Sequence, residues 1–257
     1  VQAAILQYGW SISTRTFYEK QTLRGVCASL NTGGAASVPL AENAEKRISA
    51  VPDYPHLRPP KMKNILLTGA TGYLGALLAA ELLKLPDVRV HCLVRGQNNA
   101  TAQRRFYDVM AYYFGQGVVP NSRISVLCGD IAQDGFGLGA KARRALAGVD
   151  TIIHCAAVTD HVGYADMFDR INVSGTEHAA QLAQELGAAL LHISTTSVAG
   201  TALADGSGKE AAFDERSYDI GQNYADNDYV RSKFLAEGRV LDAMAGGLNA
   251  RIFRVGN

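Results

Sequence analysis

The sequence has no apolar run of about 18 residues and no basic stretch followed by an apolar one, the marks of a membrane-spanning helix and a secretory leader. It also has almost no charge imbalance, because 25 lysines and arginines stand against 24 aspartates and glutamates. A chain with a formal net charge of +1 has no general attraction to nucleic acid or to a membrane surface. We therefore expect a cytoplasmic protein with neither a nucleic-acid partner nor a membrane partner.

Cysteine is scarce, and its four occurrences are Cys27, Cys92, Cys128 and Cys155. No two of them form a C-x-x-C pair, and three fall in segments that we predict to be core strands. A thiol in such a place behaves as a small apolar side chain. This pattern favours buried free thiols in a reducing cytoplasm over disulfides or a metal site.

Apolar residues are plentiful enough for a large α/β domain. The 257 residues are 47% hydrophobic and 19% charged, which is typical of globular proteins. Short apolar or β-branched runs alternate with helix-forming segments, which predicts a doubly wound parallel sheet with helices on both faces. The chain begins without methionine and ends at Asn257 directly after a strand-like run, so we expect it to be part of a longer protein.

Three glycines spaced G-x-x-G-x-x-G separate the first predicted strand from the first helix. The apolar run Ile65 to Leu67 precedes them, and an alanine- and leucine-rich segment follows. A glycine turn that opens a helix offers free backbone N–H groups and the positive end of the helix dipole to a ligand. The alternative is an ordinary turn, but this placement predicts a Rossmann-type dinucleotide site at Gly69, Gly72 and Gly75.

The second predicted strand, Val88 to Val94, is followed by the basic Arg95. NAD sites place an acidic residue there for the ribose 2′-hydroxyl, whereas a guanidinium suits a 2′-phosphate. Arg104 and Arg105 follow in a predicted helix, where one of the two fits a solvated face and the other can join Arg95. We therefore expect NADPH rather than NADH, held by Arg95 and Arg105.

Asp130 and Ile131 follow the third predicted strand, Ile124 to Cys128. Ligands of open α/β sheets bind at the carboxyl ends of the strands, which places both residues near the cofactor. Asp130 can accept a hydrogen bond from the adenine amino group, or it can close a turn. The residues alone leave both readings open.

The fourth predicted strand, Thr151 to His154, runs into Ala156, Ala157 and Val158. Small residues at this position let a cofactor pass close to the backbone. His154 fits a packed strand end better than an acid or a base.

Of the eleven tyrosines, only Tyr229 has a lysine four residues later. On a helix, Tyr229 and Lys233 share one face, and Lys233 can also hold the nicotinamide ribose. A free tyrosine has a pKa of about 10, and a neighbouring cation brings that pKa toward neutrality. Thr195 follows the fifth predicted strand and can donate to a carbonyl oxygen on which charge develops.

Together these motifs resemble the extended short-chain dehydrogenase/reductases. The cofactor motif is Thr68-Gly69-Ala70-Thr71-Gly72-Tyr73-Leu74-Gly75, and the active-site motif is Tyr229-Val230-Arg231-Ser232-Lys233. The resemblance implies that Thr71, Tyr73 and Leu74 also contact the cofactor. It selects Thr195, with Tyr229 and Lys233, because relatives place the catalytic hydroxyl five residues before a glycine, here Gly200. Ser194 and Thr196 remain the alternatives.

Within this family, residues 62–257 look most like the thioester reductase domains of nonribosomal peptide synthetases and carboxylic acid reductases. The residues behind this likeness are His91-Cys92-Leu93-Val94-Arg95, Ala102, Arg105-Phe106, Ala157-Val158, His161-Val162, Tyr164, Asn172-Val173, Gly175-Thr176, Ser232-Lys233 and Ala236-Glu237. Phe234 stands where these relatives often have tryptophan, and Asp160 where they often have asparagine. We expect the family's C-terminal substrate-binding part to follow Asn257.

The N-terminal residues differ in composition from the rest. Residues 1–30 loosely resemble the end of a phosphopantetheine carrier domain, through Tyr8-Gly9-Trp10-Ser11-Ile12, Phe17-Tyr18, Gln21-Thr22-Leu23 and Ala28-Ser29-Leu30. Residues 31–61 predict a linker, because their end from Val51 to Pro60 holds four of the seven prolines. The alternative is a helical extension that packs on the main domain. We thus expect a carrier tail, a linker and the NADP-binding part, residues 62–257.

The resemblance implies NADPH-dependent reductive release of an acyl or peptidyl thioester from a carrier-bound phosphopantetheine arm. The product is an aldehyde, with further reduction to an alcohol left open. The alternatives are a nucleotide-sugar epimerase or dehydratase, a membrane-associated fatty acyl reductase, and a dinucleotide-binding domain without catalysis. Arg95 disfavours the epimerase, and an intact set of Thr195, Tyr229 and Lys233 disfavours a non-catalytic domain.

Overall fold

The computed structural model describes residues 50–115, 122–159, 164–200, 203, 212–224 and 227–256. The strands are β1 (Asn64–Thr68), β2 (Arg89–Val94), β3 (Ile124–Cys128), β4 (Thr151–His154), β5 (Ala189–Thr195) and β6 (Ala250–Val255). The helices are α1 (Tyr73–Leu82), α2 (Asn99–Phe114), α3 (Ala140–Ala145), α4 (Ala165–Phe168), α5 (Ser174–Leu186) and α6 (Asp228–Ala245). Shorter 3₁₀ turns cover Asp134–Gly137 and Thr196–Ala199, and a π-helical turn covers Asp169–Val173. The predicted carrier tail lies outside the described residues, as does the predicted linker up to residue 49.

All six strands pair in parallel, in the order β3-β2-β1-β4-β5-β6. This is the Rossmann-type strand order, so the doubly wound fold predicted from the sequence is confirmed. The chain winds outward in one direction from β1 and in the other from β4. A crevice therefore opens outside the carboxyl ends of these two strands, where folds of this kind bind dinucleotides.

Successive residues of the strands point to opposite faces of the sheet and build an apolar layer on each. On β1, Leu66 packs in the layer that contains Ala179 of α5 and Val240 of α6. Its neighbours Ile65 and Leu67 pack in the opposite layer, with α1 and α2. Helices on both faces thus cover a sheet whose inner strands are nearly continuous apolar runs, as expected for a buried parallel sheet.

Side-chain caps fix where the two helices that carry site residues begin. At the start of α2, Asn98 accepts from the backbone N–H of Thr101 at 3.0 Å, and the Thr101 hydroxyl accepts from the Asn98 N–H at 3.1 Å. At the start of α6, Asn227 accepts from the N–H of Val230 at 3.1 Å. Such caps satisfy backbone donors that a helix leaves unpaired at its first turn.

Residues 50–61, the proline-rich end of the predicted linker and here called the strap, lie against the Rossmann body. The N–H of Val51 donates to the carbonyl of Arg216 at 2.6 Å. The ring of His56 hydrogen-bonds to the carbonyl oxygen of Leu248 at 3.1 Å. This part of the predicted linker is therefore held by specific contacts with residues distant in sequence.

Candidate active site

A cleft of about 480 Å³ opens outside the carboxyl ends of β1 and β4. Every residue that the sequence predicts for cofactor binding or chemistry lies in its wall. Those from the first half of the fold are Gly69, Thr71, Gly72, Tyr73, Leu74, Gly75, Arg95, Arg105, Asp130 and Ile131. Those from the second half are Ala156, Ala157, Val158, Thr195, Tyr229 and Lys233.

Two glycines let the cofactor turn pack tightly enough to shape one end of the cleft. Gly69 has a φ of +77°, and a Cβ there would lie 2.6 Å from the backbone nitrogen of Ala156. A Cβ on Gly75 would lie 2.1 Å from the carbonyl oxygen of Gly69. The N-terminus of α1, at Tyr73, lies in the same wall. A backbone cradle at the positive end of a helix fits the pyrophosphate of a dinucleotide.

The arginines beyond β2 divide between the cleft and the solvent. Arg95 and Arg105 both line the cleft, and a guanidinium nitrogen of Arg105 lies 3.4 Å from the carbonyl oxygen of Arg95. Arg104 is exposed and lies outside the cleft wall. All three arginines are exposed, and what distinguishes Arg95 and Arg105 from Arg104 is that they line the cleft.

Asp130 lies in the cleft wall and also closes a turn. Its carboxylate accepts from the backbone N–H of Ala132 at 3.0 Å, and its own N–H donates to the carbonyl of Phe136 at 2.9 Å. The two readings left open by the sequence are therefore compatible, because a carboxylate has several acceptor positions.

Asn172 fixes both the cofactor side and the catalytic side of the cleft. Its amide oxygen accepts from the N–H of Val158 at 2.8 Å, and its amide nitrogen donates to the Val158 carbonyl at 3.0 Å. The same nitrogen donates to the Ser232 hydroxyl at 2.9 Å, and Ser232 donates to the carbonyl of Tyr229 at 2.8 Å. From the sequence, Asn172 entered only through the family resemblance. Its signal is a fully buried amide in a π-helical turn, a feature frequent at functional sites.

Thr195, at the end of β5, is the hydroxyl that the geometry favours. It is buried, lines the cleft and shares a hydrogen bond with the phenol of Tyr229. It also hydrogen-bonds to the Ser197 hydroxyl at 3.2 Å and accepts from the Ser197 N–H at 3.2 Å. Of the two alternatives, Ser194 lines the cleft as well, whereas Thr196 does not.

Burial raises the pKa of Tyr229, and the hydrogen bond with Thr195 opposes the rise. The sequence predicts the opposite direction, a pKa lowered by Lys233, and for this arrangement that prediction is wrong. The reason is that the desolvation of the phenol dominates, while the Lys233 ammonium donates to the carbonyl of Ile193 at 2.6 Å. The phenol is therefore protonated at neutral pH and suited to donate a proton.

Burial lowers the pKa of Lys233 to about 8, and the nearby Glu237 and Cys155 oppose this effect. The Lys233 side chain is almost entirely buried, only 3% exposed. Its ammonium is charged at neutral pH and can change protonation state just above it.

Several wall residues were not predicted from the sequence. They are Leu93, Val94, Gly129, Cys155, Thr159, Ile171, Ile193, Val255 and Gly256. Most of them are apolar or small, so their residue types do not distinguish them from residues of the hydrophobic core. Among the described residues, no three metal-ligating side chains come together, and no helix is long and apolar enough to cross a membrane.

Residues 67–257 match the family model of NAD-binding domains described as male sterility protein. Nonribosomal peptide synthetase asaC of Aspergillus flavus is 28% identical over 97% of this chain, which spans 26% of that protein. Glycine betaine reductase ATRR of Emericella nidulans is 31% identical over 76% of this chain and 16% of its own length.

Among solved structures, a thiolation-reductase di-domain from an archaeal non-ribosomal peptide synthetase is similar, with a TM-score of 0.66 and 34% identity. The similarity covers 77% of this chain and 53% of that chain. The chain thus spans about half of this solved structure and about a quarter or less of these two curated relatives.

Proposed function

We propose that this chain, which belongs to the male sterility protein family of NAD-binding domains, reduces a carrier-bound acyl or peptidyl thioester with NADPH. Within the extended short-chain dehydrogenase/reductases, the chain is a reductase domain. The product is an aldehyde, and the carrier's phosphopantetheine thiol is set free. The relatives support this substrate class, since one is a peptide synthetase and one solved relative joins a thiolation domain to a reductase domain.

The observation that carries the proposal is the placement of Thr195, Tyr229 and Lys233 in one cleft with the glycine turn. A nicotinamide cofactor is the group that the family binds, and the backbone cradle at Gly69 and Gly75 fits its pyrophosphate. When bound, the reduced cofactor supplies a hydride.

The remaining chemistry belongs to the side chains of this chain. Thr195 and Tyr229 can both donate hydrogen bonds to the thioester oxygen, which stabilises the negative charge that develops on it. Tyr229, with its raised pKa, then supplies the proton. Lys233 stabilises the resulting phenolate through its charge. Once the carbonyl carbon has received the hydride and the oxygen has received this proton, the species is a thiohemiacetal. Its carbon–sulfur bond breaks and the hydroxyl proton passes to sulfur, which gives the aldehyde and the carrier thiol.

Two arginines in the wall support NADPH, rather than NADH, as the cofactor. Arg95 and Arg105 supply two guanidinium groups at the position where NAD sites carry a carboxylate. A guanidinium binds a phosphate through paired, charge-assisted hydrogen bonds. A free 2′-hydroxyl offers no such charge.

The test is reduction of an acyl-pantetheine thioester by this chain, followed as NADPH consumption and as aldehyde trapped by a hydrazine. We expect Tyr229→Phe to lower turnover by about 10² to 10⁴-fold, the usual contribution of a general acid. The matched control is Tyr112→Phe, which alters an 82% exposed phenol outside the cleft. Thioester reduction that survives Tyr229→Phe undiminished would contradict the assigned chemistry. Tight NADPH binding without any thioester reduction would favour a dinucleotide-binding domain without catalysis.

A further inference from the structure

A row of buried polar side chains crosses three strands beneath the cleft and ends at Lys233. Thr68 on β1 pairs in register with His154 on β4, which pairs with His192 on β5. The Thr68 hydroxyl lies 2.9 Å from Nδ1 of His154, and the two imidazole rings stack with centroids 5.6 Å apart. Nε2 of His192 lies 3.4 Å from Nζ of Lys233.

Both imidazoles are fully buried, and each has a ring nitrogen without a partner among the described residues. His154 is 1% exposed and His192 is 0% exposed. Among the described residues, Nε2 of His154 and Nδ1 of His192 have no hydrogen-bond partner. Buried polar atoms without partners are uncommon in folded proteins and call for an explanation. An apolar pair would fill the same space without this cost, which points to a role for the imidazoles at Lys233.

The surroundings of Lys233 show why an acceptor matters there. The ammonium donates to the backbone carbonyl of Ile193 at 2.6 Å, and Nε2 of His192 lies 3.4 Å from it. Glu237, one turn further along α6, is engaged by Arg254 at 2.7 Å. Cys155 is the remaining titratable group that acts on Lys233. Within the part of the chain that the structure describes, the hydrogen-bond acceptors of the ammonium are thus neutral, and His192 contributes a side chain to them.

We propose that His192 is a positioning residue that holds the Lys233 ammonium toward the cleft, with His154 and Thr68 fixing the His192 ring from behind. The proposal rests on the proposed function, in which Lys233 acts at the cofactor and at Tyr229. It assigns opposite tautomers to the two rings. Nε2 of His192 accepts from Lys233, so its proton lies on Nδ1. Among the described residues, Nδ1 of His154 is the acceptor within hydrogen-bond distance of the Thr68 hydroxyl, whose oxygen accepts from the Ala156 N–H at 3.2 Å. Nδ1 of His154 therefore accepts from Thr68, and the His154 proton lies on Nε2.

Burial supports neutral rings, because it lowers the pKa of His154 to about 3 and that of His192 well below its usual value. The charge of Lys233 adds to both effects. Neutral imidazoles can accept from the ammonium, whereas protonated ones would repel it.

The first test reads the tautomers directly, by ¹⁵N NMR of the imidazoles in the full chain at neutral pH. His192→Gln and His154→Gln spectra assign the two signals. We expect His192 to carry its proton on Nδ1 and His154 on Nε2. A His192 proton on Nε2 would overturn the proposal, since Lys233 would then face a donor. This measurement needs no thioester and no turnover, so it stands or falls apart from the proposed function.

The second test measures NADPH binding and kcat/KM against pH for His192→Leu and His192→Gln. Removing the acceptor destabilises the charged ammonium, so the alkaline decline should begin about one pH unit lower in His192→Leu. At the pH of that decline the loss is about tenfold, because one unit corresponds to a tenfold change in protonation. His192→Gln places an amide oxygen near the former Nε2 and should restore the wild-type profile.

His56→Leu, on the strap and away from the cleft, is the control for substituting a histidine. Thermal unfolding of each variant shows whether it is folded before its profile is read. An unchanged alkaline decline in a folded His192→Leu protein would overturn the proposal. A uniform loss at every pH, equal in the leucine and glutamine variants, would do so too, because it indicates packing alone.

Discussion

In the proposed function, Arg95 and Arg105 bind the 2′-phosphate of NADPH. Arg104 lies outside the cleft wall, so its substitution is a control for theirs. We expect Arg95→Ala and Arg105→Ala each to weaken NADPH binding by about 10 to 100-fold, the value of a hydrogen bond to a charged group. NADH binding should change little. Titration of each variant with both cofactors, by fluorescence or calorimetry, measures the ratio of the dissociation constants for NADH and NADPH.

Arg104→Ala is the matched control, because it removes the same charge one residue away on the solvated face. If Arg104→Ala reduced the preference as much as Arg105→Ala, the effect would be a general loss of positive potential. If NADH bound the wild-type chain as tightly as NADPH, the phosphate assignment would fail.

The buried histidines also predict how stability depends on pH. Unfolded, each titrates near pH 6.5, but burial lowers the pKa of His154 to about 3 and that of His192 well below its usual value. Between about pH 6 and pH 3 the unfolded state therefore binds protons that the folded state cannot. The contribution of each neutral ring to the free energy of unfolding is fully present above the pKa of the unfolded state. It is lost as the pH falls below that pKa, by about 1.4 kcal/mol per pH unit for each ring.

His154→Leu should remove one of these two contributions. We expect the free energy of unfolding to fall less between pH 7 and pH 5 in the variant than in the wild type, by about 2 kcal/mol. Urea unfolding at both pH values measures this difference, and His56→Leu serves as the control for losing a histidine outside the row. Equal losses in His154→Leu and wild type would mean that His154 is protonated in the folded protein.

Site residues that lie together at one strand end or on one helix turn could be predicted, because the local sequence alone shows that they are neighbours. Tyr229 and Lys233 share a helix face, so their spacing alone brings them together. Arg104 and Arg105 could not be distinguished, because neighbouring helix residues point about 100° apart and the sequence does not show which direction faces the cleft. The link between His192 and Lys233 depends on strand register across the sheet, which local patterns do not contain.

At the scale of the elements, a stack of three aromatic rings joins α6 to residues 212–224. Phe234, directly after Lys233, lies between Tyr218 and Tyr224, with ring centroids 4.5 Å and 4.0 Å away. The planes differ by 4° and 17°, and the Tyr218 hydroxyl donates to the Phe234 carbonyl at 3.1 Å. Phe234, which stands where relatives often have tryptophan, thus holds residues 212–224 against α6.

Phe234→Leu should break this stack without emptying the core. We expect a loss of about 2 kcal/mol in unfolding free energy and faster hydrogen exchange in residues 212–224. Tyr218→Phe keeps the rings and removes one hydrogen bond, so its cost should be near 1 kcal/mol with little change in exchange. If Tyr218→Phe cost as much as Phe234→Leu, the hydrogen bond rather than the stack would hold the segment.

Elements with a clear apolar pattern were predictable, and short ones without a pattern were not. The predicted strand at Ile65 to Leu67 lies within β1, because a buried parallel strand is a continuous apolar run. No prediction covered α3, whose six residues include no buried one and therefore show no periodicity. The 3₁₀ turn before it depends on left-handed conformations at Gly135 and Phe136, and Phe136 is a residue that rarely adopts them.

At the scale of the whole molecule, residues 212–224 are held from three directions. The stack binds them to α6, and Val51 of the strap donates to the carbonyl of Arg216. From β6, Arg254 donates to the carbonyl of Ser217 at 2.8 Å while it pairs with the buried Glu237. The prolines of the strap predicted a linker, but the strap contacts residues more than a hundred positions away in sequence, which no local pattern shows.

Val51→Pro should release one of these attachments, because proline has no N–H to donate. Val51 precedes a proline and Ala50 already forms an extended bridge with Ser217, so the backbone shape tolerates the change. We expect a loss of about 1 kcal/mol in unfolding free energy, faster exchange in residues 212–217, and slower thioester turnover. NADPH affinity should stay unchanged, because the cofactor cradle lies on β1, β4 and α1, away from the strap.

The control is Lys61→Pro, which changes a strap residue whose N–H makes no backbone hydrogen bond within the described residues. Exchange in residues 212–217 that is equally slow in Val51→Pro and Lys61→Pro would show that the strap rests on the body without supporting the segment beside the catalytic helix.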